Sequence, residues 1–133
     1  MDDNDTSAKK IMVVDDEQDF LFTMEYWLKS KGYEVRTATD GFKALDLAKA
    51  FNPHLILLDI NMPGIDGVET LKRIREFNKE VPVIIITAYV GEERVDAASV
   101  YKISGLFYKD KDFKEGLLLL ESILRTHRKL KED

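Results

Sequence analysis

Residues 54–64 read HLILLDINMPG, and this stretch decides the fold. The five residues before Asp59 are mostly apolar, which predicts a short strand that is buried on both faces. The Pro63-Gly64 pair then ends the segment as a turn. A carboxylate in this position lies at the carboxyl edge of a sheet, where open α/β folds place their ligands. Asp59 is therefore predicted to belong to a site and not to a core.

A second acidic segment has the same form. Asp15 and Asp16 follow the apolar run 11–14, so they are predicted to end another buried strand at the same edge. Three carboxylates that converge on one edge repel one another unless a cation holds them, and hard oxygen ligands favour Mg²⁺ or Ca²⁺. The two segments together predict a divalent metal site.

Strand-like and helix-like patterns alternate along the rest of the chain. Apolar runs typical of strands lie at 11–14, 33–38, 54–58, 81–87 and 106–108. Helical patterns lie at about 18–31, 41–51, 66–77, 92–103 and 112–130. Five βα repeats in one small domain predict an α/β fold with a five-stranded parallel sheet and helices on both faces. We expect a disordered acidic leader at 1–9, one domain at 10–130 and a short tail at 131–133.

Composition narrows the classes of function. The chain has 133 residues, no cysteine, 44% hydrophobic residues and a formal net charge of −5. The length and the apolar fraction fit one globular domain, and the absence of cysteine excludes disulfides and thiolate metal sites. The negative charge disfavours direct binding of nucleic acid, and no apolar stretch has the length of a membrane span. We therefore expect a cytoplasmic protein without membrane contact.

Polar residues at successive strand ends form an ordered set. Its members are Asp15-Asp16, Asp59, Met62-Pro63-Gly64, Thr87-Ala88 and Lys109. With this set the chain resembles the receiver domain of bacterial two-component response regulators, over roughly residues 10–130. The resemblance implies a flavodoxin-like, three-layer (βα)5 sandwich with strand order 2-1-3-4-5.

The resemblance also implies a role for the chain. Asp59 would be the phosphoacceptor that takes a phosphoryl group from a phosphohistidine, carried by a sensor histidine kinase or a histidine phosphotransfer protein. Thr87 and Lys109 would each bind a phosphoryl oxygen. The resulting conformational change would alter the surface formed by the fourth helix, fifth strand and fifth helix. This surface would then control a downstream effector protein or domain. The chain would be a signalling switch and not an enzyme that turns over a metabolite.

A metal site is part of the same implication. Asp15, Asp16 and Asp59 would hold Mg²⁺ together with the backbone carbonyl of Asn61, and Mn²⁺ could substitute. Mg²⁺ prefers near-octahedral oxygen ligands and keeps some water, so about three protein oxygens together with a phosphoryl oxygen and water are reasonable.

Two lysines compete for the position at the end of the fifth strand. Lys109 lies 22 positions after Thr87, which resembles the family's usual spacing, and residues 105–108 before it resemble the family's fifth strand. Lys111 would align Tyr108 with the aromatic residue of the family's switch, but it aligns the last helix poorly. Lys109 is therefore preferred.

This alignment leaves two departures from the family pattern. Asp110 stands where the family has a proline after a commonly cis bond; a non-proline cis bond costs about 3–4 kcal/mol, so we expect a trans loop. Leu106 stands where the family often has an aromatic residue. Either the switch is transmitted through nearby tyrosines, Tyr89, Tyr101 or Tyr108, or the leucine only packs in the core.

Two helices carry more apolar side chains than one core can bury. On the first helix, Phe22 and Tyr26 form a flank apart from the core face. The resemblance implies that this helix and the loop after the fifth strand receive the phosphodonor protein, and packing against the last helix is the alternative. On the last helix, the four leucines at 117–120 cannot all face one core, so some lie at the surface or against a partner. The resemblance would allow a homodimer through the face of the fourth helix, fifth strand and fifth helix.

Three alternative functions are open. A phosphorelay intermediate would use the same site. A phosphatase of the haloacid dehalogenase type also uses a strand-end aspartate and Mg²⁺, but it has a second aspartate two residues later, where this chain has Asn61. A flavodoxin-like cofactor carrier needs a phosphate-binding loop after the first strand, and there Asp15, Asp16 and Glu17 would repel phosphate.

Overall fold

Five strands and five helices alternate within the described part of the chain, residues 9–88, 91–109 and 113–132 of the computed structural model. The strands are β1 (Lys10–Val14), β2 (Glu34–Ala38), β3 (Leu55–Asp59), β4 (Val83–Thr87) and β5 (Gly105–Tyr108). The helices are α1 (Gln18–Ser30), α2 (Gly41–Phe51), α3 (Gly67–Phe77), α4 (Glu93–Ser99) and α5 (Phe113–Glu132). The predicted alternation is confirmed, and the bounds agree within about two residues except at α4.

The strands form one parallel sheet in the order β2-β1-β3-β4-β5. Val14 pairs with Leu58 across β1 and β3, and Thr87 pairs with Tyr108 across β4 and β5. Parallel neighbours must be joined by crossover connections, so each helix returns the chain to the same edge of the sheet. This flavodoxin-like order is the one that the family resemblance implies, and it brings the carboxyl ends of β1, β3, β4 and β5 together.

Two hydrophobic clusters cover the two faces of the sheet. Successive residues of a strand point to opposite faces. Ile56 and Leu58 of β3 accordingly pack in one cluster with α2, α3 and α4, whereas Leu55 and Leu57 pack in the other with α1 and α5. Both faces of β3 are therefore buried, which explains its continuous apolar sequence, and the three predicted layers are present.

Helix α4 is shorter than predicted. The apolar pattern over 92–103 predicted one helix, but α4 ends at Ser99, and Lys102 has a left-handed φ of 69°. The Arg75 side chain in α3 stabilises this turn, because its Nε and Nη2 donate to the carbonyls of Tyr101 and Lys102, each at 2.7 Å. The apolar spacing continues through the turn onto the same core, so periodicity alone did not reveal the end of the helix.

The surplus apolar side chains lie at the surface. Phe22 and Tyr26 of α1 are each 72% exposed, so the alternative that they pack against the last helix was wrong. In α5, Leu120 is buried whereas Leu118 is 64% exposed, as the run of four leucines predicted. Among the helices that the structure describes, none is both long and apolar enough to cross a membrane.

Candidate functional site at the carboxyl edge of the sheet

The predicted polar residues meet at one edge of the sheet. Asp15 directly follows β1, Asp59 ends β3, Thr87 ends β4 and Lys109 directly follows β5. A cavity of about 220 Å³ opens here, and Asp59, Thr87 and Lys109 line it together with Asp16. The topology therefore brings residues from four separate segments into one site.

The three aspartates form a compact acidic cluster. Asp15, Asp16 and Asp59 each offer a carboxylate oxygen, and these oxygens lie within 4.8 Å of one another. Asp15 is fully buried and Asp59 is 5% exposed, whereas Asp16 is exposed. Oδ2 of Asp15 is buried and accepts no well-aligned hydrogen bond from the described residues. Since a buried carboxylate oxygen needs a partner, the cluster fits a hard divalent cation such as Mg²⁺.

The electrostatics of Asp59 also favour a cation. Burial raises the pKa of Asp59 to about 7, although the hydrogen bond from the Asn61 N–H (3.1 Å) lowers it. Burial raises the pKa of Asp15 in the same way. Without a bound metal ion Asp59 therefore tends to hold a proton near neutral pH, and a bound cation would favour the charged forms of both carboxylates.

Lys109 lies against the acidic cluster. Its Nζ is 2.8 Å from Oδ2 and 3.1 Å from Oδ1 of Asp15, and it also contacts Oε1 of Glu17. Burial lowers the pKa of Lys109, but the hydrogen bonds to Asp15 and Glu17 outweigh that effect and raise it above its ordinary value. The lysine is therefore a fixed positive charge beside the pocket. The competing Lys111 and the residue Asp110 lie outside the described residues.

Thr87 and Asn61 line the same pocket as Asp59. Thr87 is 1% exposed, and its carbonyl accepts a hydrogen bond from the Lys109 N–H at 2.9 Å. Asn61, whose carbonyl is the fourth predicted metal ligand, is exposed in the loop after β3. Its N–H holds Oδ1 of Asp59, so this loop orients the carboxylate.

Leu106 and the tyrosines that could transmit the phosphorylation signal differ in their surroundings. Leu106 and Tyr101 are half-buried and pack against the cluster that α2, α3 and α4 cover. Tyr108 is half-buried beside Thr87 in the sheet. The packing of Leu106 is compatible with both interpretations of the missing aromatic, and Tyr89 lies outside the described residues.

Gly67 also shapes the site, although no sequence pattern predicted it. A Cβ added to Gly67, the first residue of α3, would lie 2.3 Å from the Asp59 carbonyl oxygen and 2.6 Å from Cα of Ile60. The Gly67 N–H donates to the Ile60 carbonyl at 3.1 Å. Only glycine lets α3 begin this close to the strand end, so Gly67 fixes the backbone that carries Asp59. Its one sequence signal is that it follows the helix N-cap Asp66, which does not reveal the close approach.

Two glutamates that were not predicted as site residues also line the pocket. Glu17 precedes α1 and contacts Lys109, and Glu92 precedes α4. Glu92 pairs with Arg94, and Nη1 of Arg94 lies 3.5 Å from the Ile60 carbonyl. The start of α4 is thereby connected to the loop that follows Asp59.

Comparison with known sequences gives one family model and two similar regulatory proteins. A family model described as "Response regulator receiver domain" matches residues 11–121. The alkaline phosphatase synthesis transcriptional regulatory protein PhoP of Bacillus subtilis (strain 168) is 36% identical over 119 residues, which cover 88% of this chain and 49% of PhoP. The transcriptional regulatory protein PrrA of Mycobacterium leprae (strain TN) is 42% identical over 86 residues, which cover 65% of this chain and 37% of PrrA. The matched region thus spans less than half of either relative.

Solved structures share the fold. A CheY-like receiver domain protein from Methanospirillum hungatei JF-1 superposes with a TM-score of 0.84 at 24% identity, covering 92% of this chain and 98% of that one. The response regulator protein TrrA from Thermotoga maritima, solved in complex with Mg²⁺-BeF, has a TM-score of 0.76 at 34% identity, covering 90% and 98%. Since the family model matches most of the sequence and the fold agrees, the chain belongs to the receiver domain family of two-component response regulators.

Proposed function

We propose that this chain is a cytoplasmic signalling switch that is controlled by phosphorylation of Asp59. Receiver domains are in general signalling switches and not metabolic enzymes. The observation that carries the proposal is the convergence of the acidic cluster, Thr87 and Lys109 on the pocket that holds the Asp59 carboxylate. The donor would be a phosphohistidine of a sensor histidine kinase or a histidine phosphotransfer protein.

In the proposed transfer, Asp59 acts as the nucleophile. A carboxylate oxygen of Asp59 forms a bond to phosphorus while the bond from phosphorus to the donor imidazole nitrogen breaks, and the electron pair stays on the imidazole. The Asn61 N–H orients the attacking carboxylate through Oδ1. Thr87 would donate its hydroxyl to one phosphoryl oxygen, and the Lys109 ammonium would bind another.

Asp15, Asp16, Asp59 and the backbone carbonyl of Asn61 would hold Mg²⁺, or Mn²⁺ in its place. When bound, the cation supplies positive charge that offsets the repulsion between the carboxylate and the incoming phosphoryl group. The Mg²⁺-BeF complex of the Thermotoga relative supports this part of the proposal, as does the buried Asp15 oxygen that lacks an aligned donor.

The proposed output is a change at the α4–β5–α5 surface. Thr87 and Lys109 are joined through their backbones at 2.9 Å, so a phosphoryl group that draws in one side chain acts on both strand ends. The surface would then act on an effector protein or domain. Val100 and Leu118, which are 77% and 64% exposed, offer apolar contacts for an effector or for a homodimer.

The proposed docking site for the phosphodonor is α1. Phe22 and Tyr26 are both 72% exposed and lie four residues apart on one flank of this helix. A helix with exposed aromatic side chains next to the pocket suits a helical partner that must bring its phosphohistidine to Asp59.

The proposal is tested by incubating the protein with Mg²⁺ and acetyl phosphate and measuring its intact mass. We expect one added phosphoryl group that is lost in acid or alkali, and none in Asp59→Asn. Asp19→Asn, which removes an exposed carboxylate of α1, should still be modified. Equal modification of wild-type protein and Asp59→Asn, or none in either, would contradict the assignment.

A phosphorelay intermediate remains the second candidate, since the same pocket serves it. In that case phosphorylated wild-type protein should pass its phosphoryl group to the histidine of a phosphotransfer protein faster than it loses the group to water.

A further inference from the structure

We propose that Glu17 is a positioning residue for Lys109 that competes with the incoming phosphoryl group for the lysine ammonium. The inference rests on the proposed function and concerns how readily Asp59 is phosphorylated. In the unphosphorylated chain, Glu17 holds Lys109, and an incoming phosphoryl group displaces this contact.

The contacts of Lys109 carry the first step. Its Nζ lies 2.8 Å and 3.1 Å from the two carboxylate oxygens of Asp15 and also contacts Oε1 of Glu17. Oδ1 of Asp15 and Oε1 of Glu17 accept hydrogen bonds from the ammonium group, and Oδ2 of Asp15 adds a charge contact without an aligned donor. A phosphoryl oxygen that binds Lys109 therefore competes with two carboxylates for the same ammonium group.

Burial indicates which contact is released. The Asp15 side chain is fully buried, whereas the Glu17 side chain is 64% exposed. Breaking the contact with Asp15 would leave more of a buried carboxylate without a partner, but water can solvate Glu17 at once. Glu17 is thus the contact that the phosphoryl group displaces.

The backbone position of Glu17 supports a role outside its own helix. Glu17 is the N-cap of α1, yet its side chain makes no capping hydrogen bond there. The N-cap side chains of α2, α3 and α4, which are Asp40, Asp66 and Glu92, each accept a hydrogen bond from their own helix. Among these four described helix starts, Glu17 differs in that its carboxylate contacts a lysine 92 positions away.

Lys109 is also held by contacts that do not involve Glu17. Its Nζ lies 4.8 Å from the centroid of the Phe20 ring, and this ring packs edge-on against Phe107 with centroids 5.8 Å apart. The Lys109 N–H is fixed on the Thr87 carbonyl. These contacts hold the backbone and the ammonium group of Lys109 near the site, so removal of Glu17 leaves the lysine beside the pocket.

The test compares three variants at saturating Mg²⁺, with the dissociation constant for Mg²⁺ measured for each by titration calorimetry. Glu17→Gln removes the charge, Glu17→Asp keeps the charge on a shorter side chain, and Asp19→Asn removes an exposed charge two residues away. The readout is the initial rate of modification by acetyl phosphate, followed by intact mass.

We expect Glu17→Gln to raise the initial rate about three- to tenfold, as release of a partly exposed ion pair allows. Glu17→Asp should raise it by a similar factor, because the shorter side chain cannot hold the lysine. Asp19→Asn should stay within about twofold of wild-type protein, since screening limits the effect of an exposed charge.

Other outcomes overturn the inference. A Glu17→Asp protein with the wild-type rate beside a faster Glu17→Gln would show that only the charge matters. A Glu17→Gln protein that is no faster, or that loses its Mg²⁺ affinity, would show that Glu17 has a structural or metal-binding role. Wild-type protein that takes no phosphoryl group would overturn the proposed function itself, whereas a modified wild type with unresponsive Glu17 variants overturns this inference alone.

Discussion

The two edges of the sheet bury charge in opposite ways. At the amino edge, the half-buried Arg75 guanidinium donates to four backbone carbonyls, those of Tyr101, Lys102, Asn78 and Val81, at 2.7–3.1 Å. At the carboxyl edge, the buried Asp15 has an oxygen without an aligned donor among the described residues, and burial raises the pKa of Asp59 to about 7.

The difference distinguishes a structural charge from a functional one. A half-buried charge that donates hydrogen bonds to four backbone carbonyls stabilises the fold, and it has little left to offer a ligand. Buried carboxylates that repel one another destabilise the chain until a cation or a proton arrives. We therefore interpret the charge at the amino edge as structural and the carboxyl edge as the site that binds a ligand.

The largest expected effect concerns the close approach of α3 to the site. Gly67→Ala should lower the free energy of unfolding by about 3 kcal/mol, because its Cβ would lie 2.3 Å from a backbone oxygen of Asp59 that cannot move aside. Urea denaturation measures the loss. In Gly105→Ala, the added methyl meets only side-chain ends of Ile123 and Leu119 at 3.3 Å, so a smaller loss is expected. Equal losses of unfolding free energy in the two variants would show that a side chain is tolerated at Gly67 as well as at Gly105 in β5.

The next effect tests whether Asp59 destabilises the metal-free chain. In EDTA at pH 8, Asp59→Asn should raise the free energy of unfolding by about 2–3 kcal/mol, because burial raises the pKa of Asp59 from 3.8 to about 7. The folded chain keeps its proton up to about pH 7, whereas the unfolded chain loses it near pH 4. Wild-type stability should therefore fall as the pH rises from about 4 to 7 and then level off.

The difference in free energy of unfolding between Asp59→Asn and wild-type protein should accordingly become smaller as the pH is lowered from 8 to 5. Asp19→Asn serves as the control for removal of one carboxylate from the same end of the molecule, and it should follow the wild-type curve. Saturating Mg²⁺ should stabilise wild-type protein more than Asp59→Asn. If this difference in free energy of unfolding does not change with pH, or if wild-type protein is the more stable of the two in EDTA, then Asp59 does not destabilise the metal-free chain. The contrast between the two edges would then be wrong.

A smaller effect is expected at the amino edge. Arg75→Met should lower the free energy of unfolding by about 2 kcal/mol, because backbone carbonyls lose a charged donor, although part of the site is open to water. Arg73→Met, which breaks an exposed pair with Glu69 in the same helix, should cost about 0.5 kcal/mol or less. Both variants should still be phosphorylated at Asp59 when folded. A strong loss of phosphorylation in Arg75→Met, but not in Arg73→Met, would show that Arg75 at the amino edge also affects the phosphorylation of Asp59.

The elements that could be predicted from the sequence depend on local patterns. Buried parallel strands are continuous apolar runs, and the polar residue that ends each run marks the carboxyl edge. Asp15, Asp59 and Thr87 could therefore be placed before the structure was known. Lys109 needed the family spacing as well, since a second lysine stood two residues away.

The features that could not be predicted depend on contacts between distant segments. The end of α4 is stabilised by Arg75, which lies 26 positions before Tyr101. Glu17 and Lys109 meet across 92 positions. The need for glycine at position 67 arises only when α3 packs onto the end of β3. In each case the local pattern is compatible with another structure, and tertiary packing decides.

The most direct test of the contrast between the edges is backbone hydrogen–deuterium exchange with and without Mg²⁺ and beryllofluoride. We expect slower exchange in segments 15–17, 59–67, 87–88 and 91–95 at the carboxyl edge, and unchanged exchange in segments 78–82 and 101–104 around Arg75. Asp59→Asn should show no such change. Protection that is spread equally over both edges, or that persists in Asp59→Asn, would contradict the assignment of the carboxyl edge as the phosphoacceptor site.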